Sequence, residues 1–297
     1  MLFILLLAIM SCQKNTERKR PLLLTTIHPY ELLLKQLAGS DYDVQSIIPA
    51  NASPHTWSPN PSDLKALIEA AFILSNGLGL ETNLQKSFAT RAGAHVEVAK
   101  LIEASIPVYE EEHHEADEHE VGESHHEGQD PHLWTSPHLM IRLVTALEKE
   151  LSSRFPNSAL VFANNADIIR QELEAASEQI MSERSAYKEP GLITYHNSFY
   201  YFTREFGIKY LGWVQFSLGK EPSPKDLVSL GETIKEHKVK AVFVEPQMNR
   251  KAGEVLAKEF SLKLLTLDSL GSDGKAKTLA EIILNNWESM KGAFTEK

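Results

Sequence analysis

The chain has 297 residues, 42% hydrophobic and 24% charged, with a formal net charge of -10, which is a soluble composition long enough for two lobes and too long for one small domain. Residues 110–128, EEEHHEADEHEVGESHHEG, hold nine of the forty acids and no Lys or Arg; without them 31 acidic residues face 30 basic ones. The acidity is therefore local, and nothing in the charge supports a nucleic-acid partner.

The chain opens on MLFILLLAIMSCQKNTERKR. Its apolar run over 1–10 is too short to cross a hydrocarbon core of ~30 Å as a helix, and it reads as the apolar part of a secretory signal. Cys12 ends IMSC and is the only cysteine, which excludes an intramolecular disulfide. Apolar, small, Cys at this spacing resembles the processing site of bacterial lipoproteins. Residues 1–20 are thus expected to be a lipoprotein signal peptide and tether, with Cys12 lipidated. One departure is that no Lys or Arg precedes the apolar run.

From residue 21 short apolar runs alternate with amphipathic stretches. LLLTTI (22–27), YDVQSII (42–48), AFILSN (71–76) and HVEVAK (95–100) predict strands; PYELLLKQLAG, NPSDLKALIEA and ETNLQKSFATRAG predict helices between them, two stopped by Gly. A second series follows in GLITYH (191–196), GIKYLGWV (207–214), AVFVEP (241–246) and SLKLLTLD (261–268). Strand–helix–strand repetition predicts an α/β fold of two lobes, each a parallel sheet of about four strands flanked by helices. Residues 157–188 run 32 residues without Gly or Pro, and predict one long helix capped at Asn157 or Ser158. Its charged second half suits a solvated rod. The expected organisation is a first lobe over 21–155, a linker helix over 156–188 and a second lobe over 189–297.

Ligands of open α/β sheets sit beyond the carboxyl ends of the strands, and several metal-capable side chains fall there. His55 follows the second strand in SPHTWSP, and His132 precedes a helix in DPHLWTSP. His196 ends the second lobe's first strand in LITYHNS, and Asp268 ends its last in LLTLDSLG. Three imidazoles and a carboxylate divided between two lobes form a closed four-coordinate site of the kind zinc favours. Each also has a plainer reading, as a turn residue, a packed core histidine or a cap.

These residues lie in SPHTWSPNPSDLKAL, DPHLWTSP, YHNSFYYFTREFGI, EPSPKDLVSLGETIKEHKVKAVFVEPQMN and LDSLG. There the sequence resembles solute-binding protein family 9, the metal receptors of bacterial zinc and manganese ABC importers, over essentially the whole mature chain. The resemblance implies two lobes bridged by one long helix (the metal-receptor type of periplasmic binding protein) and a metal held in the cleft. It implies His55, His132 and His196 as imidazole ligands and Asp268 as the carboxylate. It further implies an extracytoplasmic, lipid-anchored and monomeric receptor, in periplasm or at the cell surface, serving an ABC permease with a separate ATPase. No phosphate-binding GxxxxGK[ST] loop occurs in this chain.

Imidazole suits zinc, whereas manganese leans toward oxygen donors, and manganese members of the family carry a Glu where His196 stands. Zn2+ is the expected ligand, with a Mn2+-binding receptor or adhesin of the same family as the alternative and a zinc hydrolase, using Glu245 as general base, as a more distant one; no HExxH occurs. The tract 110–128 lacks the apolar positions of a packed element. Its His113, His114, His119, His125 and His126 are expected to gather cations weakly beside the cleft rather than to form the primary site. His28 and Glu245, also at strand ends, are candidates for supporting a ligand, with packing and turn closure as the simpler alternatives.

Overall fold

The structure, a computed structural model, describes residues 20–107, 129–188, 191–214 and 223–294, with backbone alone at 224, 226 and 252. The expected lipidation site Cys12, the tract 110–128 with its five histidines and the Glu189–Pro190 helix stop lie outside the described residues.

The first half runs β1 (Leu22–Thr25), α1 (His28–Ala38), β2 (Asp43–Ser46), α2 (Pro61–Glu69), β3 (Phe72–Ser75), α3 (Gln85–Thr90), β4 (His95–Glu97), α4 (Val98–Leu101) and α5 (Pro137–Arg154). Its four strands are all parallel in the order β2-β1-β3-β4. The helix α6 (Ala159–Arg184) leads to the second half: β5 (Gly191–Thr194), α7 (Tyr200–Phe206), β6 (Lys209–Trp213), α8 (Pro224–Glu236), β7 (Ala241–Val244), α9 (Arg250–Glu259), β8 (Lys263–Thr266) and α10 (Leu279–Lys291). That sheet repeats the arrangement as β6-β5-β7-β8, again all parallel. Central strands β3 (FILS) and β7 (AVFV) are buried at every position. Parallel sheets covered on both faces need such unbroken apolar runs. The eight predicted strands are all present, mostly shorter; HVEVAK divides, with His95–Glu97 extended and Val98 already opening α4.

Each sheet changes winding direction beside its first strand, so β1/β3 and β5/β7 are the two places where outgoing loops diverge. That divergence opens a crevice at the carboxyl ends. α1 stops at Gly39, whose φ of 64° is a turn conformation open to glycine, while α3 ends at Thr90, before Gly93.

The long helix forms without a break at Asn164–Asn165, but begins later than predicted. Pro156–Ser158 is a tight 3-10 turn, and α6 spans 26 residues, ~39 Å at 1.5 Å per residue. Ser158 is not a side-chain cap; its Oγ accepts from the Tyr42 hydroxyl at 2.9 Å. Nor is the helix a solvated rod. Phe162, Ala166, Ile169, Leu173, Ala176 and Ile180 are buried at alternating spacings of four and three, a stripe that packs on α5, α1 and α10. α10 closes the arrangement from the far end: the Trp287 indole N–H and the Lys291 ammonium both donate to Glu183 on α6. One apolar core therefore runs from Leu23 and Leu24 through Phe162 and Leu173 to Phe243 and Trp287. A shared core of this kind restrains the two halves more than a single connecting helix does.

Glu205 on α7 reinforces the junction. It accepts from the Ser136 hydroxyl and from the His138 N–H, while Ser136 Oγ also accepts from Leu139 N at 3.1 Å as the N-cap of α5. Burial raises the Glu205 carboxyl above its ordinary range, and the Ser136 and His138 hydrogen bonds only partly offset this. Ser136→Ala removes both contacts and is expected to destabilise the protein by about 1–2 kcal/mol. The measurement is a lower urea midpoint at unchanged slope.

Candidate metal centre

Three loops deliver three imidazoles to the crevice. After β2 the chain turns twice, with Ser53 O accepting from Thr56 N at 3.2 Å and Trp57 N at 3.0 Å, which sets His55 on the turn. Asn60 then caps α2 through a reciprocal box with Asp63, ending the loop at a defined point. His196 follows β5, where its carbonyl accepts from Thr194 Oγ1 at 2.7 Å and Tyr210 Oη at 3.2 Å. His132 opens the short turn Leu133–Thr135 that runs into the cap of α5, and its carbonyl accepts from Thr135 Oγ1 at 2.9 Å.

The outcome is a triangle of Nε2 atoms. His55 to His132 is 3.2 Å, His55 to His196 is 3.3 Å and His132 to His196 is 3.1 Å. A tetrahedral ion with Zn–N of 2.0–2.1 Å requires ligand nitrogens roughly 3.3–3.4 Å apart. Hydrogen bonding among the three does not account for the arrangement, because a neutral imidazole Nε2 either donates or accepts, never both. His132 has its tautomer set: Nδ1 faces Asp130 Oδ1 at 3.0 Å, and the same oxygen accepts the His132 backbone N–H at 2.8 Å. With Nδ1 holding the proton, the Nε2 lone pair points into the triangle, as carboxylate–imidazole–metal groupings require. Burial, followed by the neighbouring His132 and His55, holds the His196 imidazole well below its ordinary range. It is therefore neutral and able to ligate at pH 7.

The remaining predicted residues are placed differently. The group of ligand atoms lying within 4.8 Å of one another comprises the three imidazoles and does not extend to the Asp268 carboxylate. Asp268 does follow β8, with its backbone held by Asn286 of α10 at 2.6 and 2.9 Å, but its Oδ2 accepts from Ser272 N at 2.6 Å and Ser272 Oγ at 2.7 Å. Gln247 Nε2 lies 3.5 Å from its Oδ1 and donates to Ala50 O at 2.8 Å, spanning the two halves. Glu245 lines the cavity with the three histidines. It accepts from Ser198, two residues past His196, and from Ser269 at 3.4 Å. Burial pushes its carboxyl up to about 7, against the Ser198 hydrogen bond and the His132 imidazole. His28 pairs through Nδ1 with Glu31 at 2.9 Å, one turn along α1. Trp134 is buried against His132, and its indole N–H donates to Ser269 O at 2.9 Å across the cleft; Trp57 is only partly buried.

Asp130, which holds the His132 ring and backbone, is the residue of the site that sequence reading missed. Its signal was the DPH triplet, since an Asp two positions before a ligand can bond both that residue's N–H and its ring. The cavity at the triangle is about 10 Å³, room for one ion or one water. Organic ligands fill roughly 300–1,000 Å³.

Residues 23–293 match the family described as ZnuA, zinc-uptake complex component A periplasmic. The high-affinity zinc uptake system protein ZnuA of Haemophilus ducreyi is 32% identical over 270 residues, covering 86% of this chain and 87% of its own length. Its Bacillus subtilis namesake is 28% identical over 284 residues, covering 92% and 87%. A crystal structure of a ZnuA 138–173 deletion mutant with zinc bound superposes with a TM-score of 0.77 at 25% identity, over 94% of this chain and 99% of that one. Matched from its first strand to its last helix, the chain belongs to the ZnuA family of periplasmic zinc-uptake components.

Proposed function

We propose that this protein is an extracytoplasmic receptor that captures one Zn2+ between its two halves and passes it to the permease of an ABC importer whose ATPase is a separate chain. The observation that carries the reading is the Nε2 triangle of His55, His132 and His196, with sides of 3.1–3.3 Å. Three imidazole nitrogens favour zinc over manganese. Asp268 is assigned the fourth corner, which it reaches by leaving Ser272; a carboxylate completes a closed site that carries its cargo without reacting. A cavity sized for one ion supports transport rather than catalysis on an organic substrate. The zinc-uptake relatives supply the same reading for the family.

Residues 110–128 act as a collector that raises the local cation concentration, and a lipid on Cys12 tethers the receptor outside the cytoplasmic membrane. Among the described residues no helix is long and apolar enough to cross one. The test is zinc titration against a competing chelator with elemental analysis. One tight zinc per chain is expected, retained when 110–128 is deleted. Loss of tight binding with the tract would move the primary site into it.

A further inference from the structure

Among the described residues no strand leads into the His132 segment, which starts from coil at Gln129. What holds it comes from elsewhere in the fold. Pro131 O, one residue before the ligand, accepts from Asn76 Nδ2 at 2.8 Å, and Asp130 O accepts from the Tyr201 hydroxyl at 2.7 Å. Asn76 directly follows β3 and is fully buried. Its amide has one allowed orientation, because Nδ2 must face the carbonyls of Pro131 and of Gly77 (3.0 Å) while Oδ1 takes the Tyr30 hydroxyl at 2.5 Å.

Asn76 is in turn anchored by a buried carboxylate. Glu81 Oε1 accepts from Asn76 N at 2.7 Å and Thr26 Oγ1 at 2.6 Å, and Oε2 accepts from Gly77 N at 3.1 Å. This anchor closes a sharp turn in which Gly77, Leu78 and Gly79 all have positive φ, of 82°, 52° and 78°. The connection therefore runs from Glu81 through Asn76 to the Pro131 carbonyl, 55 residues away in the chain. A network of this kind, with its donors and acceptors matched, is rigid and specifies one arrangement.

We infer that Asn76, oriented by Tyr30 and anchored by Glu81, is a positioning residue for His132. It fixes the 130–132 turn against the end of β3, and with it the place of His132 Nε2 in the nitrogen triangle. Metal–ligand distances tolerate only about ±0.2 Å, so a displaced turn costs affinity although Asn76 touches no metal. The inference rests on the zinc-receptor reading.

The test is chelator-competition affinity for Zn2+ on the full chain, as a double-mutant cycle. Asn76→Ala is expected to weaken binding by about 10–100-fold, the range for groups that orient metal ligands. In a His132→Ala background the same change should cause no further loss, whereas in a His55→Ala background the loss should persist. Tyr30→Phe, which keeps the packed ring, should give a smaller loss with the same dependence on His132, and it carries the cycle alone if Asn76→Ala does not fold. Unaltered affinity in the folded variants, or an equal loss with and without His132, overturns the inference. Absence of tight zinc in the unsubstituted protein would instead overturn the receptor reading.

Discussion

His132→Ala is expected to weaken zinc binding by at least roughly a hundredfold. Apparent binding energies of about 10–16 kcal/mol for closed four-ligand zinc sites divide into ~3 kcal/mol per ligand, and each 1.4 kcal/mol is tenfold. His132 should show this loss fully because its ring is already oriented by Asp130; removal gives up a ligand for which little ordering entropy remained to be lost. The same substitution also changes stability. Free zinc at a thousandfold above Kd stabilises a protein by about 4 kcal/mol, a melting shift of roughly 6–8 °C for a chain of this length at ~2.1 cal/mol/K of unfolding entropy per residue. In the variant most of that shift should vanish, and His55→Ala and His196→Ala should behave alike since each occupies one vertex. Calorimetry with and without zinc reads the effect. A full zinc-induced shift in all three variants would place the ion elsewhere.

Glu245→Gln is expected to alter the pH dependence of stability in the zinc-free protein by about 3 kcal/mol between pH 4.5 and 8, since a tenfold change in proton affinity corresponds to ~1.4 kcal/mol. The folded carboxyl titrates at about 7, raised chiefly by burial, against an ordinary value near 4.5. Between these values the folded state keeps a proton that the unfolded chain has released, so the contribution of Glu245 is full below pH 4.5 and is lost as pH rises through about 7. His196 runs the opposite way: its depressed value means that the unfolded chain takes up a proton first, so its contribution falls as pH drops below about 6.5. The two slopes partly cancel in the parent protein. The informative quantity is therefore variant minus parent, in which His196, Glu81 and Glu205 subtract out. Urea unfolding in chelator should show this difference growing in favour of the glutamine variant up to about pH 7 and level thereafter. Saturating zinc should shrink it, because a nearby cation favours the ionised carboxylate. Parallel stability curves for the two proteins would contradict the buried, protonated state.

The architecture was legible because periodicity is a local property. Apolar runs such as FILS and AVFV, alternating with amphipathic stretches, leave few solutions other than a parallel sheet under helices. The same logic put His55 and His196 at the rim of the crevice, since loops after parallel strands all emerge on one side; His132, which no described strand precedes, stood out as the residue before a helix in DPHLWTSP. The absence of Gly and Pro over 157–188 likewise foretold the long helix. Its environment was not foretold: the stripe from Phe162 to Ile180 shows that a face is buried, but a stripe does not name its partner. Only the packing of α10 back onto α6 and α1 decided that the halves share one core.

The site divides along the same line. Residue type, the strand-end places of His55 and His196, the position of His132 before a helix and the family resemblance together singled out three histidines, because imidazole chemistry is carried by each side chain alone. That their nitrogens close to 3.1–3.3 Å is a property of three loops separated by 64 to 141 residues, fixed by packing rather than by any one of them. The turning of Asp268 toward Ser272, the burial that raises the Glu245 carboxyl and the tie from Asn76 to Pro131 arise in the same way. Which groups a metal could use was written in the residue types and their local pattern. Tertiary structure alone decided their distances, their protonation and what holds them still, because those depend on neighbours that the chain brings together only on folding.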